Sequence, residues 1–373
     1  MAQYLLYILG SFAVSMVCGF LAIPMIVRFC KKKNLYDQPG TRKIHKCGVP
    51  RLGGTCFLPS MLLAFLIAML TLNGAVQGNE ITISLWSVCF FVSLLLVYAV
   101  GLIDDVVGLK PASKFVVQVV AASLLPASGL YINNMYGFLG IYELPYYVGA
   151  PLTVFAIVFI DNAMNLIDGI DGLSGGLSLI ALGGFLYCFA REGVWTYCIL
   201  IAGLMGVLVA FLYFNITGGK NNKMKIFMGD SGSLTLGFIL GFLLVKFSMD
   251  NPLVMPYRRD SLMLSYTLLA IPILDVVRVI IVRMLHRKPI FGADKNHIHH
   301  KLMRTGMTQH QALVCILAMA VGYIALNQAL FGFFYFSSVV AFDIVVWLAI
   351  HFVINHFVSR NGQKVFSSEG GND

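Results

Sequence analysis

Apolar residues fill this chain in long runs separated by short polar stretches. Eleven runs stand out, at roughly 4–27, 53–72, 85–103, 115–130, 149–167, 173–190, 194–214, 232–248, 262–284, 311–331 and 335–357. Runs of about 17–25 apolar residues are long enough to cross a bilayer as helices. The pattern therefore predicts an all-α, polytopic membrane protein with about eleven transmembrane helices. Pro126 and Pro151 interrupt the fourth and fifth runs. The polar gaps leave no room for a soluble domain. One transmembrane domain over 1–358 and a short polar tail over 359–373 is the expected organisation. The first run is too long for a cleavable signal peptide, and it lacks a basic start and a small-residue cleavage site.

Composition agrees, since 58% hydrophobic and 12% charged residues exclude a soluble globular protein. Lysine and arginine set the orientation. The stretch 28–51 holds eight of them, and the other loops expected on that side, with the tail, raise the count to 21. The opposite loops hold only Arg191, Arg258 and Arg259. The N-terminus is therefore expected outside and the C-terminus in the cytoplasm. The net charge of +9 reads as this bias, plus attraction to anionic lipid heads, rather than as a nucleic-acid surface. The eight cysteines lie mainly in the spans and show no paired metal spacing. No internal repeat is visible.

Against this background five acids are out of place. Asp104 and Asp105 close the third run, Asp168 and Asp171 follow the fifth, and Asp230 precedes the eighth. An ionised carboxylate beside hydrocarbon costs roughly 2.5 kcal/mol or more, so such residues are functional candidates. With the expected topology all five share one membrane face, and gathered carboxylates suit magnesium. Two adjacent aspartates exceed what a water boundary needs, and Lys110 and Lys114 follow closely. In Asn162-Ala-Met-Asn165-Leu-Ile-Asp168-Gly-Ile-Asp171-Gly172 the polar residues recur every third position, which makes consecutive members neighbours on a helix. Gly169 and Gly172 predict that the helix ends inside the motif. The next helix is expected to start near Ser174, with an N-terminus suited to anions.

Phe227-Met-Gly-Asp230-Ser-Gly-Ser233 has Asp230 or Ser231 as its expected N-cap, with Phe227 as a membrane anchor or a stacking platform. His297-Ile-His299-His300 has no evident fourth partner for zinc. A His, Lys and Arg cluster there favours an anion instead. Asp275 and Arg278 are spaced to pair with each other. The basic loop around His45 serves topology and substrate binding equally well.

These four motifs, in this order, resemble those of the polyprenyl-phosphate N-acetylhexosamine-1-phosphate transferases. The resemblance runs from Arg42-Lys-Ile-His45 to His300. The related phospho-MurNAc-pentapeptide translocases usually carry three adjacent histidines. Here Ile298 interrupts the run, as in the N-acetylglucosamine branch.

The resemblance implies transfer of a sugar-1-phosphate, N-acetylglucosamine-1-phosphate above all, from a UDP-N-acetylhexosamine to undecaprenyl phosphate. UMP leaves, and the lipid-linked sugar starts a cell-surface polysaccharide such as O-antigen. It implies Mg2+ as cofactor, with Mn2+ as substitute, and a multi-pass protein of the bacterial cytoplasmic membrane with its site facing the cytoplasm. A homodimer is one state it allows. Asp230 and Asn165 match metal positions. Asp104, Asp105 and Asp168 match catalytic acids. Lys114 matches a diphosphate contact, and Asp171 and Phe227 match uracil contacts. His45, His297, His299 and His300 complete the expected substrate contacts. One departure is the long link 215–226, which lacks the common Pro-Ala and puts no firm role on Asn215.

The residues suit this chemistry independently of the name. Two phosphate anions must meet, and positioning plus electrostatic stabilisation catalyses in-line displacement. Either Asp104 or Asp105 is suited to take the proton of the lipid phosphate. A secondary transporter also uses intramembrane acids, but its site lies near the midplane and is often framed by inverted repeats.

Overall fold

The computed structural model describes residues 2–37, 48–75, 84–218, 223–289 and 295–366. Thirteen helices dominate it: α1 (Ala2–Lys33), α2 (Phe57–Ala75), α3 (Leu85–Val107), α4 (Pro111–Ala127), α5 (Tyr146–Ile167), α6 (Leu173–Arg191), α7 (Trp195–Thr217), α8 (Asp230–Ser248), α9 (Ser261–Leu268), α10 (Ala270–Leu285), α11 (Ile298–Arg304), α12 (Gln309–Phe331) and α13 (Phe336–Arg360). Among the described residues nine helical stretches are long and apolar enough to cross a membrane. Two further runs complete the eleven-run pattern. One is the shorter apolar helix α4, with Pro126 in its last turn. The other is the run 262–284, which is broken at Leu269 into α9 and α10. Pro272 accounts for the break. It has no N–H to donate, and its ring crowds the carbonyl of Leu268, where α9 ends. Pro151 lies in the second turn of α5, and the helix continues through it.

Among the described residues sheet is confined to two small antiparallel pairs. β1 (Tyr36–Asp37) pairs with β2 (Val49–Pro50), and β3 (Asn134–Phe138) pairs with β4 (Ile141–Glu143) between α4 and α5.

Helix α8 is the axis of the bundle. Every residue from Ser231 to Ser248 is buried, and the helix packs against α3, α5, α6 and α9. Its glycines allow this closeness. A Cβ at Gly237 would lie 2.5 Å from the Cα of Asp161, so α5 crosses at backbone distance. By contrast α1, α12 and α13 present exposed Leu, Val and Phe side chains outward, as lipid-facing helices do.

Candidate active site

Four helix ends, those of α3, α4, α5 and α8, converge on one end of the bundle. Asp104 sits in the last turn of α3, and its Oδ1 accepts from the N–H of Leu109 just past the helix. Lys114, in the first turn of α4, places Nζ 3.0 Å from Asp104 Oδ2 and 2.5 Å from Asp230 Oδ2 at the start of α8. Asn165, near the end of α5, donates from Nδ2 to Asp230 Oδ1 (3.1 Å) and to Ser233 Oγ (2.8 Å). Acids from two separate motifs therefore flank one ammonium, and an amide from a third holds one of those acids. With side-chain exposures of 15–25%, the three charged groups stand at an opening rather than in the core.

Asp105 does something different. It is buried, its Oδ1 accepts from the N–H of Asp230 (2.8 Å), and its Oδ2 accepts from that of Ser231 (2.9 Å). These are orphan N–H groups of α8, whose N-cap Gly229 has no side chain to satisfy them. The expectation of a local cap by Asp230 or Ser231 is corrected here, because the cap comes from α3. Gly229 has φ +74°, and a Cβ there would lie 2.6 Å from the Asp105 carboxylate, so only glycine fits. The segment Pro50 to Gly54 closes the other side. Phe227 N–H donates to Pro50 O (2.7 Å), and Gly53 and Gly54 donate to the carbonyls of Phe227 and Met228.

The second motif ends α5 at Ile167 and turns, as expected, but α6 starts at Leu173 with Gly172 in the left-handed region. Asp168 follows α5 directly. Burial, and then the charges of Asp230, Asp171 and Asp105, push its carboxyl up to about 7. Asp171 lies farther round the turn and pairs through Oδ2 with Lys225 Nζ at 2.6 Å. Asn215 joins the same strands of chain. Its Oδ1 accepts from Gly172 N–H (2.7 Å) and its Nδ2 donates to Ile226 O (2.9 Å), so it is a staple between turn and linker.

The histidine motif forms the start of α11. Asp275 of α10 anchors it, with Oδ2 2.8 Å from His297 Nδ1 and Oδ1 accepting from Ile298 N–H and from Arg278. His297 is thus turned toward α10. His299 is buried against the turn, where a Cβ at Gly169 would lie 2.1 Å from its Nε2. Burial, with His300 and His297 nearby, lowers its pKa well below the usual range and keeps it neutral. Of the three histidines expected as substrate contacts, His297 and His299 are buried and His300 is partly exposed. His45 lies outside the described residues. No group of three His, Cys, Asp or Glu with metal-binding geometry occurs among the described residues.

Several site residues escaped the sequence reading. Asp161, Gln118 and Gly237 lie one helical turn deeper than Asn165, Lys114 and Ser233. Gln118 Nε2 donates to Asp161 (2.9 Å), and Asn162 donates to Gln118 (3.1 Å). An ionisable residue inside an apolar run is itself the signal that marks Asp161. Lys225 read only as part of the inner positive charge.

Residues 85–248 match the family model described as glycosyl transferase family 4. The chain carries a glycosyl transferase family 4 domain. This domain contains Asp104, Asp105, Lys114, Asn165, Asp168, Asp171, Phe227 and Asp230, while the histidine motif lies beyond it.

Relatives extend the likeness outside the family 4 domain. A Bacillus subtilis (strain 168) protein named "Probable undecaprenyl-phosphate N-acetylglucosaminyl 1-phosphate transferase" is 29% identical over 363 residues, 94% of this chain and 89% of that protein. Proteins named undecaprenyl-phosphate alpha-N-acetylglucosaminyl 1-phosphate transferase are 28% identical in two further species. The Yersinia pestis protein aligns over 86% of this chain and 81% of its own length, and the Escherichia coli (strain K12) protein over 79% and 76%. Together the family 4 domain and these relatives identify a phosphoglycosyltransferase.

Proposed function

We propose that this enzyme transfers N-acetylglucosamine-1-phosphate from UDP-N-acetylglucosamine to undecaprenyl phosphate at the cytoplasmic face of a bacterial inner membrane, starting a cell-surface polysaccharide. The observation that carries this reading is the junction of Asp104, Lys114, Asn165 and Asp230, drawn from four helices to one open end of the bundle. The names of the relatives supply the substrates, and the 21-to-3 bias of basic residues supports the cytoplasmic side.

Oxygen donors from Asp230 and Asn165 suit a hard divalent ion, and Lys114 already places a cation between Asp104 and Asp230. Asp230 and Asn165 would hold magnesium, with the amide turned to present its oxygen. Bound there, the ion would supply Lewis-acid neutralisation of the diphosphate and of leaving UMP.

The chain's own groups do the rest. Lys114 draws in the phosphates and holds their charge. Asp104, the acid of the pair with a partly open carboxylate, takes the proton of the lipid phosphate as its oxygen attacks. Asp105, with both oxygens committed to α8, fixes Asp230 rather than acting as the base. Phe227 and Asp171 hold the uracil end, and His300 adds a contact to phosphate. A single in-line displacement follows, since donor and acceptor can meet across one opening.

The test is release of UMP, and formation of lipid-linked sugar, by purified protein given UDP-N-acetylglucosamine and undecaprenyl phosphate with magnesium. Product from both substrates together, and none when either is omitted, supports the reading. No turnover with an intact fold overturns it.

A further inference from the structure

The link before α8 is extended, and its burial alternates. Ile226 and Met228 are fully buried, while Lys225 and Phe227 are partly exposed. A period of two places alternate side chains on one face, so Lys225 and Phe227 share the open side of this segment. Lys225 Nζ lies 2.6 Å from Asp171 Oδ2, with only 6% of the Asp171 side chain and 18% of the Lys225 side chain exposed. Asn215 pins both backbones, joining Gly172 to Ile226. A hydrogen-bond donor and an acceptor are thus held side by side, two residues from the Phe227 ring.

We propose that Lys225 is a specificity-determining residue that reads the nucleobase together with Asp171. The proposal rests on the uridine-nucleotide reading given above. Uracil offers along one edge an N–H at N3 beside a carbonyl at O4. Asp171 accepts from the first and Lys225 donates to the second. Cytosine offers an unprotonated N3 and an amino group instead, so it meets carboxylate with a lone pair and ammonium with a donor. A site whose buried polar groups are left unpaired by the wrong ligand rejects it strongly. Lys225 also neutralises Asp171, which otherwise adds to the negative charge around Asp168 where a diphosphate must bind.

The experiment compares UMP and CMP dissociation constants for the wild-type protein and for Lys225→Met, Lys225→Gln and Lys225→Arg. Wild type is expected to prefer UMP. Lys225→Met should weaken UMP about tenfold, the worth of one hydrogen bond of roughly 1.4 kcal/mol, and weaken CMP much less, so the preference shrinks. Lys225→Arg should restore most of the preference. In turnover assays the same change should appear in KM for the UDP-sugar more than in kcat. Lys225→Gln offers an amide that can turn either its N–H or its oxygen to the base, so it too should narrow the UMP-to-CMP preference, and it stands in if Lys225→Met does not fold.

An unchanged UMP-to-CMP ratio overturns the proposal, and so does equal weakening of both nucleotides, which is what a purely structural ion pair would give. A wild-type protein that makes lipid-linked sugar yet binds both nucleotides equally overturns the proposal alone. A wild-type protein that binds neither nucleotide overturns the proposal and the functional reading together.

Discussion

At the scale of single residues the two adjacent acids divide their work. Asp105→Ala leaves two buried N–H groups of α8 without acceptors, a loss of about 3 kcal/mol from hydrogen bonds to a charged group. Its expected effect is a lower melting temperature together with lost activity. Asp104→Asn keeps one of the two acceptor oxygens and loses only a partly exposed contact to Lys114, so the melt should fall less than in Asp105→Ala while kcat falls by orders of magnitude. If the two variants melt alike, the division is wrong. Asp230→Asn should abolish metal-dependent turnover, and near wild-type activity in that variant would remove Asp230 from the metal site.

Asp168 supplies the pH dependence. Its folded carboxyl titrates near 7, above the unfolded value of about 3.9, so folding favours the protonated form. Stability from this group is full below about pH 4, falls as pH rises through 7, and stays low above. Asp168→Asn should therefore melt progressively higher than wild type as pH rises from 4 to 8, measured with a chelator present. A constant difference across that range would contradict the raised value.

At the scale of elements, local patterns were read well and distant partners poorly. Eleven apolar runs and the end of α5 inside its motif were legible, because hydrophobic length and glycine act through adjacent residues. The cap of α8 was not, since Asp105 reaches it from 125 positions away. Asp275 was legible as a partner of Arg278 but not as the anchor of His297, 22 residues on. The break at Leu269 had a local sign in Pro272, masked by the continuous apolar run. Asp161 and Asp343 stand out as acids inside apolar runs, but their partners Gln118 and Asn327 lie too far along the chain to be read from it. Close helix crossings also leave little trace in a sequence. Gly237→Val should force α5 and α8 apart and cost about 1–3 kcal/mol by overpacking, seen as a lower melting temperature. A variant as stable as wild type would show that the crossing has slack.

At the scale of the whole molecule, the motif-bearing ends of α3, α4, α5 and α8 meet, so these acids lie on one face. Which face that is can be measured. Cysteines at the exposed positions Lys32, Lys223 and Arg287, in a background without native cysteines, should resist an impermeant thiol reagent in intact cells, and cysteines at Asn79 and Arg259 should react. Labelling of Lys32, Lys223 and Arg287 from outside would invert the proposed orientation. The interrupted histidine motif, similar to that of the N-acetylglucosamine branch, motivates a test of the sugar. UDP-N-acetylglucosamine should be turned over and UDP-MurNAc-pentapeptide should not, and efficient use of the pentapeptide substrate would place the chain in the translocase branch.

The ammonium of Lys114 is a tethered counterion, never farther from Asp104 and Asp230 than its own side chain allows. A divalent ion bound there as proposed would compete with it for the same oxygens, so metal uptake would be an exchange rather than the filling of a void. Stripping that metal would then return the lysine to its place and leave no uncompensated charge. Chelation should silence the enzyme without loosening it: turnover lost, melting temperature held, and activity regained when magnesium is returned.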